Sequence, residues 1–261
     1  MTDPHPPFLR EAIPVSFDPV EHVYTDRETG RLYPGVTTIL KAAGKAWMGP
    51  WMLKEAIGYL EREWKAGEAY TPTARDAILA AAKSAHKRKS TEARDTGTDA
   101  HEIIKQIVAS RMAGRDVDHD IPKDEGSHSA VKAFLEWEES VKPDYLLSEQ
   151  AVCCKEWWYA GTLDLAVRVG GMVGLVDVKT SKAIYPEYYA QLAAYQKAVE
   201  EWTETPITFR AVLRCPKDGQ PFEWAVAPFS FEADLEYFLS CLNIHRWNQA
   251  VEERAAKVGE R

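Results

Sequence analysis

The residues best suited to chemistry lie in two short stretches, Gly161-Thr162-Leu163-Asp164 and, thirteen residues beyond Asp164, Asp177-Val178-Lys179-Thr180. Side chains alternate faces along a strand, so Asp177 and Lys179 share a face, with alpha carbons roughly 6–7 Å apart. Asp164 belongs to what reads as the neighbouring strand. A register that sets it beside Asp177 gathers two carboxylates and a lysine at one sheet surface. Two acids that close repel each other unless a hard divalent cation such as Mg²⁺ or Mn²⁺ joins them. The lysine ammonium would then steady an attacking water and the charge growing on a transferring phosphate. These are the groups that metal-assisted phosphodiester hydrolysis needs. Asp-x-Lys alone is common on solvated strands. Here, however, Asp177 follows Val173-Gly174-Leu175-Val176. A carboxylate in such a buried run is costly unless it is paired or bound to metal.

Gln191 and Tyr195 stand at i, i+4 on the helix expected after the Asp-x-Lys strand, so both point from one face. The same spacing also suits a solvent-face and a core residue. In Gly97-Thr98-x-x-His101, an imidazole falls in the first turn of an expected helix. There it can be a neutral metal ligand or a packed surface residue.

The elements that must position these groups follow from pattern. The segments AGTLDLAVRV and MVGLVDVKTS are joined through Gly170-Gly171, a hairpin signal. Strands are predicted at 146–154, 159–169, 172–180, 207–214 and 222–229. A helix over 186–203 separates the third from the fourth, and another closes the chain over 231–257. Upstream, a proline-bearing acidic arm ends in a hairpin turn at 27–30, and YPGVTTILK reads as a Pro-Gly turn running into a helix. Helices are expected at 50–65 and 73–94. Asp95-Thr96-Gly97 should break the second, and Thr98 or Asp99 should cap a third over 100–112. A polar loop over 111–126 leads to a helix at 127–141. The expected class is α/β, in one integrated domain. It has an arm and hairpin at 1–32, a helical part carrying the histidine motif at 33–142, and a β-β-β-α-β-β-α core at 143–261.

Taken together, G-T-x-x-H, G-T-L-D, D-V-K-T-S and Q-L-x-x-Y resemble the RecB-like branch of the PD-(D/E)XK nucleases. More narrowly, the chain is similar to phage-type single-strand exonucleases and the mitochondrial genome maintenance exonuclease. YPGVTTIL resembles the P-S-V-T element of those proteins, with Gly35 in place of the usual serine. The resemblance runs from about Tyr33 to about Asn248. It implies a restriction-endonuclease-like core, a mixed central sheet flanked by helices, with a helical N-terminal part arching over the site. It implies Mg²⁺ or Mn²⁺ held by Asp164, Asp177, the backbone carbonyl of Val178 and His101, with Lys179 orienting the water. Gln191 and Tyr195 match the pair that shapes the site and holds the strand's phosphates. Glu149 lies where some relatives carry another acid, and equally fits a solvated strand residue. Thr180, Ser181 and Lys182 follow the catalytic strand and could meet phosphate oxygens.

The implied activity is a metal-dependent exonuclease on single-stranded or flapped DNA in replication, recombination or repair, encoded by a phage. The alternatives are a double-strand exonuclease paired with a single-strand annealing protein, and a non-catalytic DNA-binding module of the same fold. Many RecB-like members hold an iron–sulfur cluster through one upstream and three downstream cysteines. Cys153, Cys154, Cys215 and Cys241 do not match that pattern, so no cluster is expected.

Composition bounds these readings. The chain has 261 residues, 45% of them hydrophobic, and a formal charge of -8. That excludes collagenous and disordered classes and a cationic coat for nucleic acid. Six acids (Asp3, Glu11, Asp18, Glu21, Asp26, Glu28) fall within the first 30 residues. The run 83–94 instead carries Lys83, Lys87, Arg88, Lys89 and Arg94 against Glu92. It reads either as a solvated face or as a strand-binding surface. Among the nine tryptophans, Trp47, Trp51 and Trp157 are candidates for base stacking as well as for core packing. No cysteine pair has C-x-x-C spacing, so half-buried reduced thiols are expected. The opening residues lack the apolar run of a signal peptide, and a cytoplasmic location, a host cytoplasm if phage-encoded, is expected.

Overall fold

The computed structural model describes residues 6–44, 48–65, 67–115 and 124–259; the side chains of 48, 88–90, 92–98, 258 and 259 fall outside the description. The arm holds more order than its prolines suggest. Val15–Asp18 (β1), Val23–Asp26 (β2) and Leu32–Tyr33 (β3) form an antiparallel sheet in that order. The expected turn joins β2 to β3, with Gly30 at φ +69°. Asp26 fastens it: Oδ1 accepts from Thr29 N at 2.7 Å and Oδ2 from the Tyr33 hydroxyl at 2.6 Å. The Pro-Gly turn then runs into Val36–Lys41 (α1), as predicted.

Met48–Glu63 (α2) matches its prediction, but Pro72–Met112 (α3) does not. The expected break at Asp95-Thr96-Gly97 and the new start at Thr98 or Asp99 are absent, and one 41-residue helix runs through. A glycine inside a helix costs about 1 kcal/mol relative to alanine, and Asp or Thr less. With no proline after Pro72, nothing in the stretch forbids propagation. Asp124 caps Glu125–Val141 (α4) by accepting from Ser127 N at 2.8 Å.

Asp144–Cys154 (β4), Tyr159–Val169 (β5), Met172–Lys179 (β6), Glu187–Glu200 (α5), Phe209–Arg214 (β7), Glu223–Val226 (β8) and Phe231–Gly259 (α6) follow, near the predicted boundaries. The sheet order is β4-β5-β6-β7-β8. Only β6 and β7 are parallel, as a strand-helix-strand crossover through α5 requires. The β5–β6 hairpin turns on Gly170 and Gly171, both at positive φ. The class is therefore the expected one, a mixed five-stranded sheet flanked by helices.

The chain divides into two compact units, Gly44–Asp99 and the combination of Met1–Ala43 with Ala100–Arg261. In the smaller, Trp51 meets His86 edge-on at 6.3 Å and Ala82 is buried. Lys83 and Lys87 of the basic run are exposed. Trp47 and the side chains of Arg88, Lys89 and Arg94 lie outside the described residues. In the larger unit, one core joins α1, α5 and α6 to the sheet through Ile39, Leu175, Leu192 and Phe238. The other joins α3 and α4 to it through Ile104, Phe134, Trp137 and Val176. All four cysteines are free and fully buried rather than half-buried. Among the described residues, no helix is long and apolar enough to cross a membrane.

Candidate metal centre and active site

The site lies where two sheet strands part. The β5–β6 ladder ends at Leu165↔Val176, one step short of the pair Asp164 and Asp177 would make. Asp164 fills the gap with its side chain: Oδ2 accepts from Val178 N at 2.8 Å. On its other side β5 continues along β4. The pairs Ser148↔Leu165 and Gln150↔Leu163 set Glu149 opposite Asp164. Glu149 has φ +50°, a left-handed conformation that is uncommon for a non-glycine residue and frequent at functional sites.

His101, from α3, completes this group. Its Nε2 is 3.4 Å from Asp164 Oδ2 and its Nδ1 is 3.7 Å from Glu149 Oε1. One ligand atom from each of His101, Glu149 and Asp164 lies within 4.8 Å of the others. One imidazole and two carboxylates are a suitable donor set for a hard or borderline divalent cation. Charges in the group answer one another. Burial pushes Glu149 up to about 7, with the Asp164 charge adding to the rise. For His101 burial acts downward, but Asp164 and Glu149 outweigh it and raise it to about 9. Burial also opposes ionisation of Asp164, yet His101, Lys179 and the Val178 N–H hold its carboxyl below the ordinary range.

A second group is carried by the residues that flank Val178 in β6. Asp177 is 1% exposed, and Lys179 Nζ lies 2.6 Å from its carboxylate. Gln191 Nε2 donates to Asp177 Oδ1 and to the Tyr195 hydroxyl, each at 3.1 Å. Asp177 Oδ2 is in ion-pair reach of Lys179 but outside hydrogen-bond geometry. Burial raises Asp177 to about 6; Lys179 opposes the rise and Asp164 adds to it. For Lys179 burial acts downward, and Asp177 and Asp164 outweigh it, so it stays an ammonium.

The sequence matches no protein-family model and no curated protein. Among solved structures, the chain is similar to an alkaline exonuclease, LHK-Exo, from Laribacter hongkongensis. The match has TM-score 0.34 and 12% identity, over 59% of this chain and 84% of that one. The complex of LHK-Exo with dAMP gives TM-score 0.33 and 15% identity over the same shares, 59% and 84%. Likenesses this slight carry no argument about the site.

The predicted residues thus form two neighbouring groups, linked by the Asp164–Val178 hydrogen bond and by the charges of Asp164, Asp177, His101 and Lys179 acting on one another. His101, Glu149 and Asp164 converge, while Asp177 turns toward Lys179, Gln191 and Tyr195. Val178 enters through its N–H; the ligand role of its carbonyl remains what the resemblance implies. Thr180 and Ser181 are half-buried and Lys182 is exposed, in the loop after β6. Trp157 is half-buried against the core, in the turn between β4 and β5.

Two residues that the motifs did not single out belong here. The Tyr24 hydroxyl is 3.0 Å from Thr162 Oγ1, which brings the N-terminal sheet to the strand that carries Asp164. The Tyr188 ring lies under Lys179 Nζ, 5.0 Å from ring centre to nitrogen. Tyr188 was open to discovery: it precedes Gln191 by one helical step on the helix already linked to the site. Tyr24 carried no such signal. The glycine of G-T-L-D also gains a reason, because a Cβ on Gly161 would stand 2.6 Å from the Tyr195 ring.

Proposed function

We propose that this chain is a PD-(D/E)XK-type nuclease, a Mg²⁺- or Mn²⁺-dependent deoxyribonuclease acting as an exonuclease on single-stranded or flapped DNA. Its setting in this reading is replication, recombination or repair, in a phage-encoded protein. One observation carries the reading: the Asp164–Val178 hydrogen bond sets the His101, Glu149 and Asp164 group directly against the strand of Asp177 and Lys179. Ligand-type residues and an ammonium thereby face the same fork in the sheet.

The donor set fits a divalent cation, with one imidazole and two carboxylates converging within 4.8 Å. His101, Glu149 and Asp164 would hold the ion, joined by Asp177 and the Val178 carbonyl. A bound ion would supply Lewis-acid charge to the phosphate and make water a stronger nucleophile. Lys179, kept protonated by its two carboxylate neighbours, orients the attacking water and offsets charge on the phosphorus centre. As an ammonium it donates hydrogen bonds and does not act as the base. Water oxygen bonds to phosphorus as one of its protons passes to solvent, the P–O bond to the leaving nucleotide breaks, and the leaving oxygen takes up a proton from solvent. Gln191 fixes Asp177, and Tyr195 packed on Gly161 fixes Gln191. Thr180, Ser181 and Lys182 meet phosphates of the strand.

The test uses linear single-stranded DNA, circular single-stranded DNA and blunt duplex with Mg²⁺ or Mn²⁺. Linear strands are degraded and circles survive. Circles lost as fast as linear strands would remove the exonuclease reading, and a preference for blunt duplex would favour a double-strand enzyme with an annealing partner.

A further inference from the structure

Helix α6 has two apolar faces, and among the described residues one of them is buried in the core while the other is largely exposed. Phe238, Cys241 and Leu242 are 0–2% exposed in the core. On another face Tyr237, Ile244, Trp247 and Val251 are 49%, 43%, 67% and 46% exposed. With Ser240 and Arg254 these residues step three and four apart alternately, the spacing of a coiled-coil seam. The seam is about 26 Å long at 1.5 Å per residue. From Arg246 to Lys257 every residue of the helix is exposed, so this apolar line runs on past the body that anchors it.

We propose that this seam pairs α6 with α6 of a second copy of the chain, antiparallel and two-fold symmetric. The charges select that arrangement. With Ile244 set against Trp247 of the second copy, Ser240 faces Val251, Tyr237 faces Arg254 and Glu236 faces Lys257, each twice by symmetry. A parallel pairing would instead stack Trp247 on Trp247 and Arg254 on Arg254. Antiparallel helices also align opposite ends of their dipoles. The helix is already formed and held by Phe238, Cys241 and Leu242, so pairing does not carry the cost of nucleating it. Trp247, the most exposed of the four, supplies the large central anchor that interfaces favour.

The pairing is independent of the catalytic reading, and its test needs no activity. Sedimentation equilibrium across a concentration series should show mass rising from 29.4 kDa toward twice that value. Trp247→Lys and Ile244→Lys, both at exposed positions, should leave a monomer with unchanged circular dichroism. Its melting temperature should be that of the wild-type chain diluted until the pair dissociates, because pairing itself raises the melting temperature by mass action. Glu236→Lys or Lys257→Glu alone should weaken the dimer about five-fold, two rim ion pairs being lost. The combined variant should restore it. A wild-type chain that stays monomeric at every concentration overturns the proposal, as does a dimer indifferent to Trp247→Lys. A monomer whose affinity for single-stranded DNA falls on Trp247→Lys would assign the seam to nucleic acid and overturn it equally.

Discussion

A glutamate at φ +50° in mid-strand, facing another carboxylate, works against stability. Burial and Asp164 raise Glu149 from its ordinary 4.5 to about 7, so its ionisation above that pH costs folded-state free energy. Glu149→Gln should therefore raise the melting temperature of the metal-free protein at pH 8, by about 2–4 °C for each kcal/mol relieved. It should also shrink the further rise that Mn²⁺ produces. Thermal melts with and without Mn²⁺ check both, and a lower metal-free melting temperature with an unchanged Mn²⁺ response would count against Glu149 as a ligand. At this scale the sequence was informative about residue types and less so about partners. Asp177 and Lys179 could be placed on one face from strand alternation alone. That Asp177 turns to Gln191, and that Glu149 joins His101 and Asp164, depends on where the β5–β6 ladder stops, which no spacing rule contains.

At the scale of elements, α5 is seated against β5 through a single missing side chain. Gly161→Ala would put a Cβ 2.6 Å from the ring of Tyr195, itself 3% exposed and unable to swing away. Overpacking of that kind costs about 1–3 kcal/mol. The variant should unfold at lower denaturant, and by displacing Gln191 it should lose cleavage by more than its stability loss explains. The β2–β3 turn provides a pH test. Hydrogen bonds from Tyr33 and Thr29 hold Asp26 down at about 2, against an ordinary 3.8. A depressed carboxyl stabilises the fold above its unfolded pKa and loses that contribution as pH falls through the folded one. Stability should accordingly decline between about pH 4 and pH 2, and Asp26→Asn should flatten that part of the curve. The strands of the core and the Gly170-Gly171 hairpin were legible because alternation and turn chemistry agree. The uninterrupted α3 was not, because Asp, Thr and Gly weaken a helix without forbidding it. Strand β1 hid for a similar reason: its pairing with β2 places Phe17 against Tyr24, at 4.6 Å between rings, a contact made outside any local signal.

Across the whole molecule, a net charge of -8 excludes a coating protein and leaves room for an enzyme that touches its strand briefly. Six of the 40 acidic residues lie in the first 30 positions, and Glu149, Asp164 and Asp177 would be met by His101, Lys179 and bound cations. Affinity for single-stranded DNA should be modest and should fall as salt rises, with the slope set by few phosphate contacts. Fluorescence anisotropy at two salt concentrations measures this. The most direct test is cleavage of an end-labelled linear single strand in Mn²⁺ by the wild-type chain and by Lys179→Ala. Wild type should shorten the strand and stop in EDTA. Lys179→Ala should bind the strand comparably and cleave it at least about 10²–10³-fold more slowly. Equal cleavage by the variant, or cleavage that survives EDTA, would contradict the assignment of this site.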